Sequence, residues 1–422
     1  MAAWTDHAIW WHVYPLGFTG AEQRLADLPD GAGSRHRLNQ LENWLDYAIE
    51  LGCSGLLLGP VFAAETHGYD TLDHLRIDPR LGTADDLDQL VAAAHARGLR
   101  VALDGVFNHV ARSFDAPPEW FRQAEDGTAA VFEGHQHLVA LNHDEPAVRR
   151  YVVDVLTHWL GRGVDAWRLD AAYAVPAGFW HEVLGEVRQQ YPDAWFFGEL
   201  IHGDYAEYAR TSSIDSITQY ELWKAIWSSL KDGNFFELAY ALERHDQLLD
   251  AFVPQTFVGN HDVTRIATQL TDERHLGHAL AILFSVAGIP SVYAGDEQAF
   301  RGLKEDRAGG DDAIRPAFPD KPDQLSPAGQ PTYRLHQHLI GVRRRNPWLV
   351  RARTAVEHLT NKSAALRSTS GDAELLLLLN VADEPHHFPA EAAGLNLAAH
   401  STDAPPTDPL TVPPHGWTLL TR

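Results

Sequence analysis

The stretch "VDAWRLDAA" (residues 164–172) reads as a β-strand that ends in charge. Val164, Ala166, Trp167 and Leu169 are apolar, and they lack the spacing of a helix face. Arg168 and Asp170 break the run at positions two apart. Strand side chains alternate between faces, so these two charges aim the same way. An apolar strand with such an end either closes on an ion pair or contributes to a site.

Outward from this stretch, strands and helices alternate. Strands are predicted at 8–15, 54–60, 99–106, 164–170, 194–200, 213–218, 254–260 and 289–295. Helices are predicted at 39–52, 83–98, 146–161, 177–190 and 273–288, with two more in "QYELWKAIWSSL" and "FFELAYALERH". The 83–98 segment shows both ends of a capped helix: Thr83 before it, acids in its first turn, and Arg97-Gly98 at its close. Wholly apolar strands between amphipathic helices imply a parallel sheet covered on both sides. Eight such units predict a (β/α)8 TIM barrel. A doubly wound open sheet is the alternative, weakened because no GxGxxG or Walker A motif opens a first helix. The long segment 109–145 after the third strand is a short insertion. A helix at 331–346 is followed by short β-type runs such as "AELLLLLNV", broken by Pro, Gly and Asp. The predicted organisation is a catalytic barrel over 1–347, with the reduced insertion at 109–145, and a C-terminal β-sandwich domain over 348–422.

The chain has 422 residues and a formal net charge of −23. So acidic a chain argues against a nucleic-acid partner, which needs a concentrated basic surface. Cys53 is the single cysteine, so no intrachain disulfide forms, and its apolar strand suggests a small core hydrophobe. The start lacks a secretory pattern, and no run is long enough for a membrane span, so a cytoplasmic location is expected. The 24 histidines are scattered without zinc-ligand spacing, so no metal ligand is assigned.

In a barrel of this kind catalytic groups gather at the C-terminal ends of the strands. Strand three ends in "DGVFNH", with Asp104, Asn108 and His109; strand four ends in Arg168 and Asp170. Strand five ends in Glu199, and strand seven in "FVGNHD", with Asn260, His261 and Asp262. Cleaving an acetal needs a nucleophile or base on one side and a proton donor on the other, which two carboxyl groups supply. A third carboxylate would stabilise positive charge on the sugar, and an adjacent Arg would keep the nucleophile ionised. No GxSxG or accessible Cys offers another nucleophile.

These four segments, in this order, resemble the α-amylase family, glycoside hydrolase family 13. "HGYDTLDHLRIDPRLGTADDLDQLVAAAHARGLRVALDGVFNH", "LVALN" (138–142) and "AGIPSVYAGDE" extend the resemblance over about residues 8–345. It implies Asp170 as nucleophile, Glu199 as general acid/base and Asp262 as the third carboxylate. It implies that Arg168 orients Asp170, that His109 and His261 hydrogen-bond the sugar, and that Tyr69 stacks on it. Asp104 would brace Arg168. Many relatives that cut polymers carry Lys-His three and four residues beyond the nucleophile; here Tyr173 and Ala174 stand there. Asn108 matches a frequent calcium ligand, but the 109–145 segment has few acids to complete an oxygen cage. No cofactor is therefore expected, calcium being possible but not favoured.

The expected activity is that of a retaining α-glycosidase acting on α-1,4 bonds of malto-oligosaccharides or starch-type glucans. Transglycosylation or trehalose-type isomerisation through the same covalent intermediate is the enzymatic alternative. A non-catalytic binding barrel is the alternative of another class. The expected partner is an α-glucan or malto-oligosaccharide substrate, with no nucleic acid and no membrane. Oligomeric state is not legible in the sequence.

Overall fold

The computed structural model describes residues 3–29, 33–307 and 309–422. Eight parallel strands form its centre: β1 (Trp10–Val13), β2 (Gly55–Leu58), β3 (Arg100–Gly105), β4 (Ala166–Leu169), β5 (Trp195–Gly198), β6 (Ser216–Ile217), β7 (Gln255–Phe257) and β8 (Ile289–Tyr293). They neighbour one another in the order β6-β5-β4-β3-β2-β1-β8-β7. A parallel bridge between Thr218 and Gln255 joins the two outer strands, so the sheet closes into a (β/α)8 barrel and the open-sheet alternative falls.

Helices return the chain outside the barrel. Thr83 caps Ala84–Ala96 with a reciprocal capping box to Asp86, as its sequence suggests. Pro146–Gly161 and Ala177–Gln190 match their predicted spans. The predicted helix at 39–52 instead splits into Leu38–Glu42 and Leu45–Leu51. The step seats the fully buried Trp44 among Trp11, Phe18, Tyr47 and Phe318. The predicted helix at 273–288 opens as a 3-10 turn, Glu273–His275, before the α-helix Leu276–Ser285.

Inside the barrel the period of two decides what each strand offers. Trp10, Leu57, Ala102, Ala166, Trp195 and Phe197 form one inner cluster. Trp10 stacks on Trp195 at 5.8 Å, which is possible because Gly55 faces Trp10: a Cβ there would sit 2.5 Å from the indole ring. Two residues along from Ala102 comes Asp104, and two along from Ala166 comes Arg168; the register pairs Asp104 with Arg168. An aromatic plug thus fills the barrel floor, and the next inward layer toward the strand C-termini is charged.

The insertion after β3 folds as a small antiparallel sheet of His109–Ala111, Val131–Phe132 and His135–Ala140, with the last in the middle. The C-terminal region carries a five-stranded antiparallel sheet of β9 (Arg353–Leu359), β10 (Ser363–Ser370), β11 (Ala373–Asn380), β12 (Asn396–His400) and β13 (Trp417–Thr421), in the order β9-β10-β11-β13-β12. Leu375, Leu377 and Leu379 join the main core on one face of β11. Leu376 and Leu378 pack on the other face with Phe388 and Val412, under a second layer formed by His386–His387 and Thr411–Val412. Burial on both faces explains the unbroken leucine run. Cys53 is buried, as expected of a core residue. Among the described residues no helix is long and apolar enough to cross a membrane.

Candidate active site

Arg168 is the hub. Its Nη1 donates to both carboxylate oxygens of Asp104, at 2.8 and 2.7 Å, and to Asp170 Oδ1 at 3.1 Å. Its Nη2 lies 2.9 Å from Glu199 Oε1 and 3.8 Å from Asp262 Oδ2. One guanidinium therefore serves four carboxylates from the ends of β3, β4, β5 and β7. Asp104, Arg168 and Asp170 are buried.

Local backbone sets the aim. After Asp170 the chain turns at Ala171, whose φ of 43° is left-handed and uncommon for a residue with a side chain. The turn points the Ala171 N–H at Glu199 Oε2, 3.1 Å away. Tyr220 donates its hydroxyl to Glu199 Oε1 at 3.1 Å and accepts from Asn260 Nδ2 at 2.8 Å. Asn260 Oδ1 in turn accepts from the Asp262 N–H at 2.9 Å.

Asp262 has its own partners. Arg315 Nη2 is 2.8 Å from Oδ1, and His261 Nε2 is 2.9 Å from Oδ2. The His261 ring lies between two near-parallel aromatic rings, Tyr14 at 5.8 Å and Tyr69 at 5.5 Å. Tyr69 hydrogen-bonds His261 and donates to Asp104 Oδ2 at 3.0 Å. Its hydroxyl is thus tied to the charged layer.

The charges are unequal in number. Among the described residues, Asp104, Asp170, Glu199 and Asp262 face two guanidinium groups, Arg168 and Arg315. Burial pushes Asp170 well above the ordinary carboxylate range; Arg168 opposes this, while Glu199, Asp104 and Asp262 add to it. Arg168 opposes the rise, but that one cation is divided among several anions. For Asp262 burial also pushes upward, but His261, Arg315 and Arg168 outweigh it and hold the group well below its usual range. The two carboxyls are driven apart by their surroundings.

The structure gathers Arg168, Asp170, Glu199, His261, Asp262 and Tyr69 into one network. His109 is buried, stacks on Phe132 of the insertion at 4.3 Å, shares its Nδ1 with the Asn108 amide at 3.1 Å, and leaves its buried Nε2 without a protein partner among the described residues. No hydrogen bond or ion pair among the described residues joins it to the carboxylates. Burial pushes it down to about 3, so it is a neutral ring. Tyr173 reaches the insertion and donates to Glu133 at 2.7 Å. The Asn108 backbone carbonyl accepts from Leu141 N at 3.0 Å. The Asn108 amide nitrogen is engaged by His109.

Sequence reasoning missed Arg315, Tyr220 and Tyr14. Arg315 sits in an irregular stretch with no periodicity to read. Tyr220 had a signal, since it opens the helix directly after the sixth strand. It also borders a cavity of about 670 Å³ whose lining includes the aromatic Tyr205, Trp223 and Tyr240 and the charged Glu221, Lys224, Glu237 and Arg244.

A family profile described as alpha amylase, catalytic domain, matches residues 13–133 and 118–371. A maltogenic alpha-amylase of Bacillus acidopullulyticus is 28% identical over 439 residues, covering 92% of this chain and 71% of that protein. A cyclomaltodextrinase of Geobacillus thermopakistaniensis is 27% identical over 470 residues, covering 99% of this chain and 77% of that protein. The solved structure of a cyclic alpha-maltosyl-(1→6)-maltose hydrolase from Arthrobacter globiformis superposes with a TM-score of 0.82 at 24% identity, covering 100% of this chain and 99% of that one. That last likeness speaks for the fold; the profile spans most of the chain, and with the two curated relatives it makes this chain a glycoside hydrolase that belongs to the alpha-amylase family.

Proposed function

We propose that the enzyme is a retaining α-glycosidase that cleaves α-1,4-glucosidic bonds in malto-oligosaccharides and related short or cyclic glucans. The observation that carries this reading is that Asp170 and Glu199 grip the two terminal nitrogens of one guanidinium. Such closeness suits direct attack by one carboxylate, for which separations are about 5–5.5 Å, better than the ~6.5–9.5 Å that leaves room for a water.

In the first step Asp170 attacks the anomeric carbon. The glycosidic C–O bond breaks, and Glu199 gives its proton to the departing oxygen. In the second step Glu199 takes a proton from water, the oxygen of that water attacks the same carbon, and the Asp170 ester bond breaks. Two inversions give net retention. Asp262, held anionic by His261 and Arg315, faces the positive charge that develops on the ring. The cavity bordered by Tyr220, with Tyr205, Trp223 and Tyr240 in its lining, offers room for an acceptor sugar, which makes transfer a second outcome of the same intermediate.

The test is product analysis on maltotriose, a cyclomaltodextrin, soluble starch and pullulan, with and without added glucose as acceptor. Proton NMR of the first-formed product is expected to show the α-anomer. An initial β-anomer overturns the mechanism, and transfer products dominating with acceptor would assign the chain to transglycosylation.

A further inference from the structure

Far from the carboxylates, two histidines meet at the seam between the barrel and the C-terminal sheet. His275 ends the 3-10 turn that leads into helix Leu276–Ser285, and His415 lies in the turn before β13. His275 Nε2 and His415 Nδ1 are 3.0 Å apart. Asp272 Oδ2 lies 4.0 Å from the first and 3.8 Å from the second. The outer nitrogen of each ring is already committed. His275 Nδ1 is 3.2 Å from the Leu230 carbonyl, and His415 Nε2 is 2.9 Å from Asp383 Oδ1. A carbonyl and a carboxylate only accept, so the ring protons belong on these outer nitrogens. With the protons there, the inner nitrogens present lone pairs to each other and to Asp272. The two inner nitrogens and Asp272 Oδ2, which also accepts from Arg274 Nη2 at 2.6 Å, thus converge on one point where a cation would answer all three. His415 also holds a left-handed φ of 51°, a strained state that structures keep where something depends on it.

We propose that Asp272, His275 and His415 bind a divalent transition-metal ion of the zinc class. Zinc sits about 2.0–2.2 Å from imidazole and carboxylate ligands, which sets tetrahedral ligands about 3.3–3.6 Å apart. The three donor atoms reach that spacing by shifts of about half an ångström. Two imidazoles and one carboxylate suit zinc, whereas calcium takes six or more oxygens. A carbonyl behind one histidine and a carboxylate behind the other form the outer shell that fixes ligating imidazoles. Arg274 brackets Asp272, with Nε 2.9 Å from Oδ1 and Nη2 2.6 Å from Oδ2, and fixes the plane of its carboxylate. One turn further on, His278 Nε2 contacts the carbonyls of Asn380 and Gly416 at 3.1 and 2.9 Å. The ion would thus clip the helix to the C-terminal sheet. The histidines escaped the sequence reading, which expected no metal ligands, because they are 140 residues apart.

The test uses the full-length protein, stripped with chelator, dialysed, and titrated with zinc chloride by calorimetry. Saturable binding of one zinc per chain is expected, with a higher Tm in zinc and no rise in calcium. Asp272→Asn keeps the turn's cap, and His415→Asn tolerates the left-handed backbone; each should weaken zinc binding at least about tenfold. Asp383→Ala touches only the outer nitrogen and should weaken it by about 10–100-fold. Circular dichroism confirms that the variants fold. Wild-type protein without saturable zinc binding, or zinc affinity unchanged in both Asn variants, would overturn the proposal and leave a proton shared by the two rings.

Discussion

Replacing Asp170 by Asn should abolish turnover and make the protein more stable. Asp170 lies 3.1 Å from Arg168 Nη1, an attraction of about 5 kcal/mol at an effective dielectric of ~20. Asp104 holds the same nitrogen, so the two carboxylates are within about 6 Å and repel by about 3 kcal/mol or more. Glu199 repels Asp170 more strongly still, Asp262 adds to it, and burial is the largest cost. The ionised group is therefore a net liability. Arg168 limits the loss, so the gain from Asn is about 1–3 kcal/mol, or roughly 2–6 °C in Tm. The folded pKa is raised, so between the unfolded value near 3.9 and the folded value the native state binds more protons. Wild-type stability falls as pH rises through that interval, and the variant lacks the fall. The Tm difference should be smallest below about pH 4 and largest above the folded pKa. Turnover should drop by a factor of about 10⁴ or more, because no intermediate can form. Scanning calorimetry across pH and maltotriose hydrolysis on the same preparation decide both points. A variant melting several degrees lower at neutral pH, with turnover above about one per cent, would refute the reasoning and make Asp170 part of a structural ion cluster.

Three further outcomes are expected. Arg315→Met strips Asp262 of its 2.8 Å partner and should cost about 3 kcal/mol of stability as well as lower kcat; a variant with wild-type kcat would show that Arg315 does not tune the carboxylate. Tyr220→Phe removes the hydroxyl that bonds Glu199 and Asn260, and kcat/KM should fall about 10–100-fold with Tm nearly unchanged, since hydrogen bonds to charged groups carry about 1.5–3 kcal/mol. After exhaustive chelation, added calcium should restore neither activity nor Tm; recovery with calcium alone would place an oxygen cage near Asn108 after all.

The barrel was legible because each strand is an apolar run and each helix shows its face and its caps. Where packing overrode local pattern, the reading slipped: Trp44 needs a step in the helix that its period does not announce. The charged strand ends were legible for the same reason as the strands, since a period of two carries Ala166 into Arg168 and Asp170 on one face. Arg315 was not, because a loop has no period to extrapolate. Nor was the stacking of His109 on Phe132, in a small sheet that the sequence shows only as a long connection. Electrostatics were hardest to read. A neighbouring Arg predicts an ionised Asp170, but the outcome depends on how many other carboxylates share that Arg, and sharing is a property of three dimensions.

The same sharing gives the site its chemical sense. A neutral glucan brings no charge, so in the ground state the carboxylates stay crowded against two guanidinium groups. Asp262 is held low by His261, Arg315 and Arg168, while Asp170 carries the cost of burial among its neighbouring acids. As the glycosidic bond stretches, positive charge grows on the sugar, and it is the charge the cluster lacks. Binding that strengthens only at that point lowers the barrier without tightening the ground state. The instability exposed by Asp170→Asn and the catalysis that this substitution destroys then have one cause. They should be lost together in any variant that balances the charge, Asp104→Asn included.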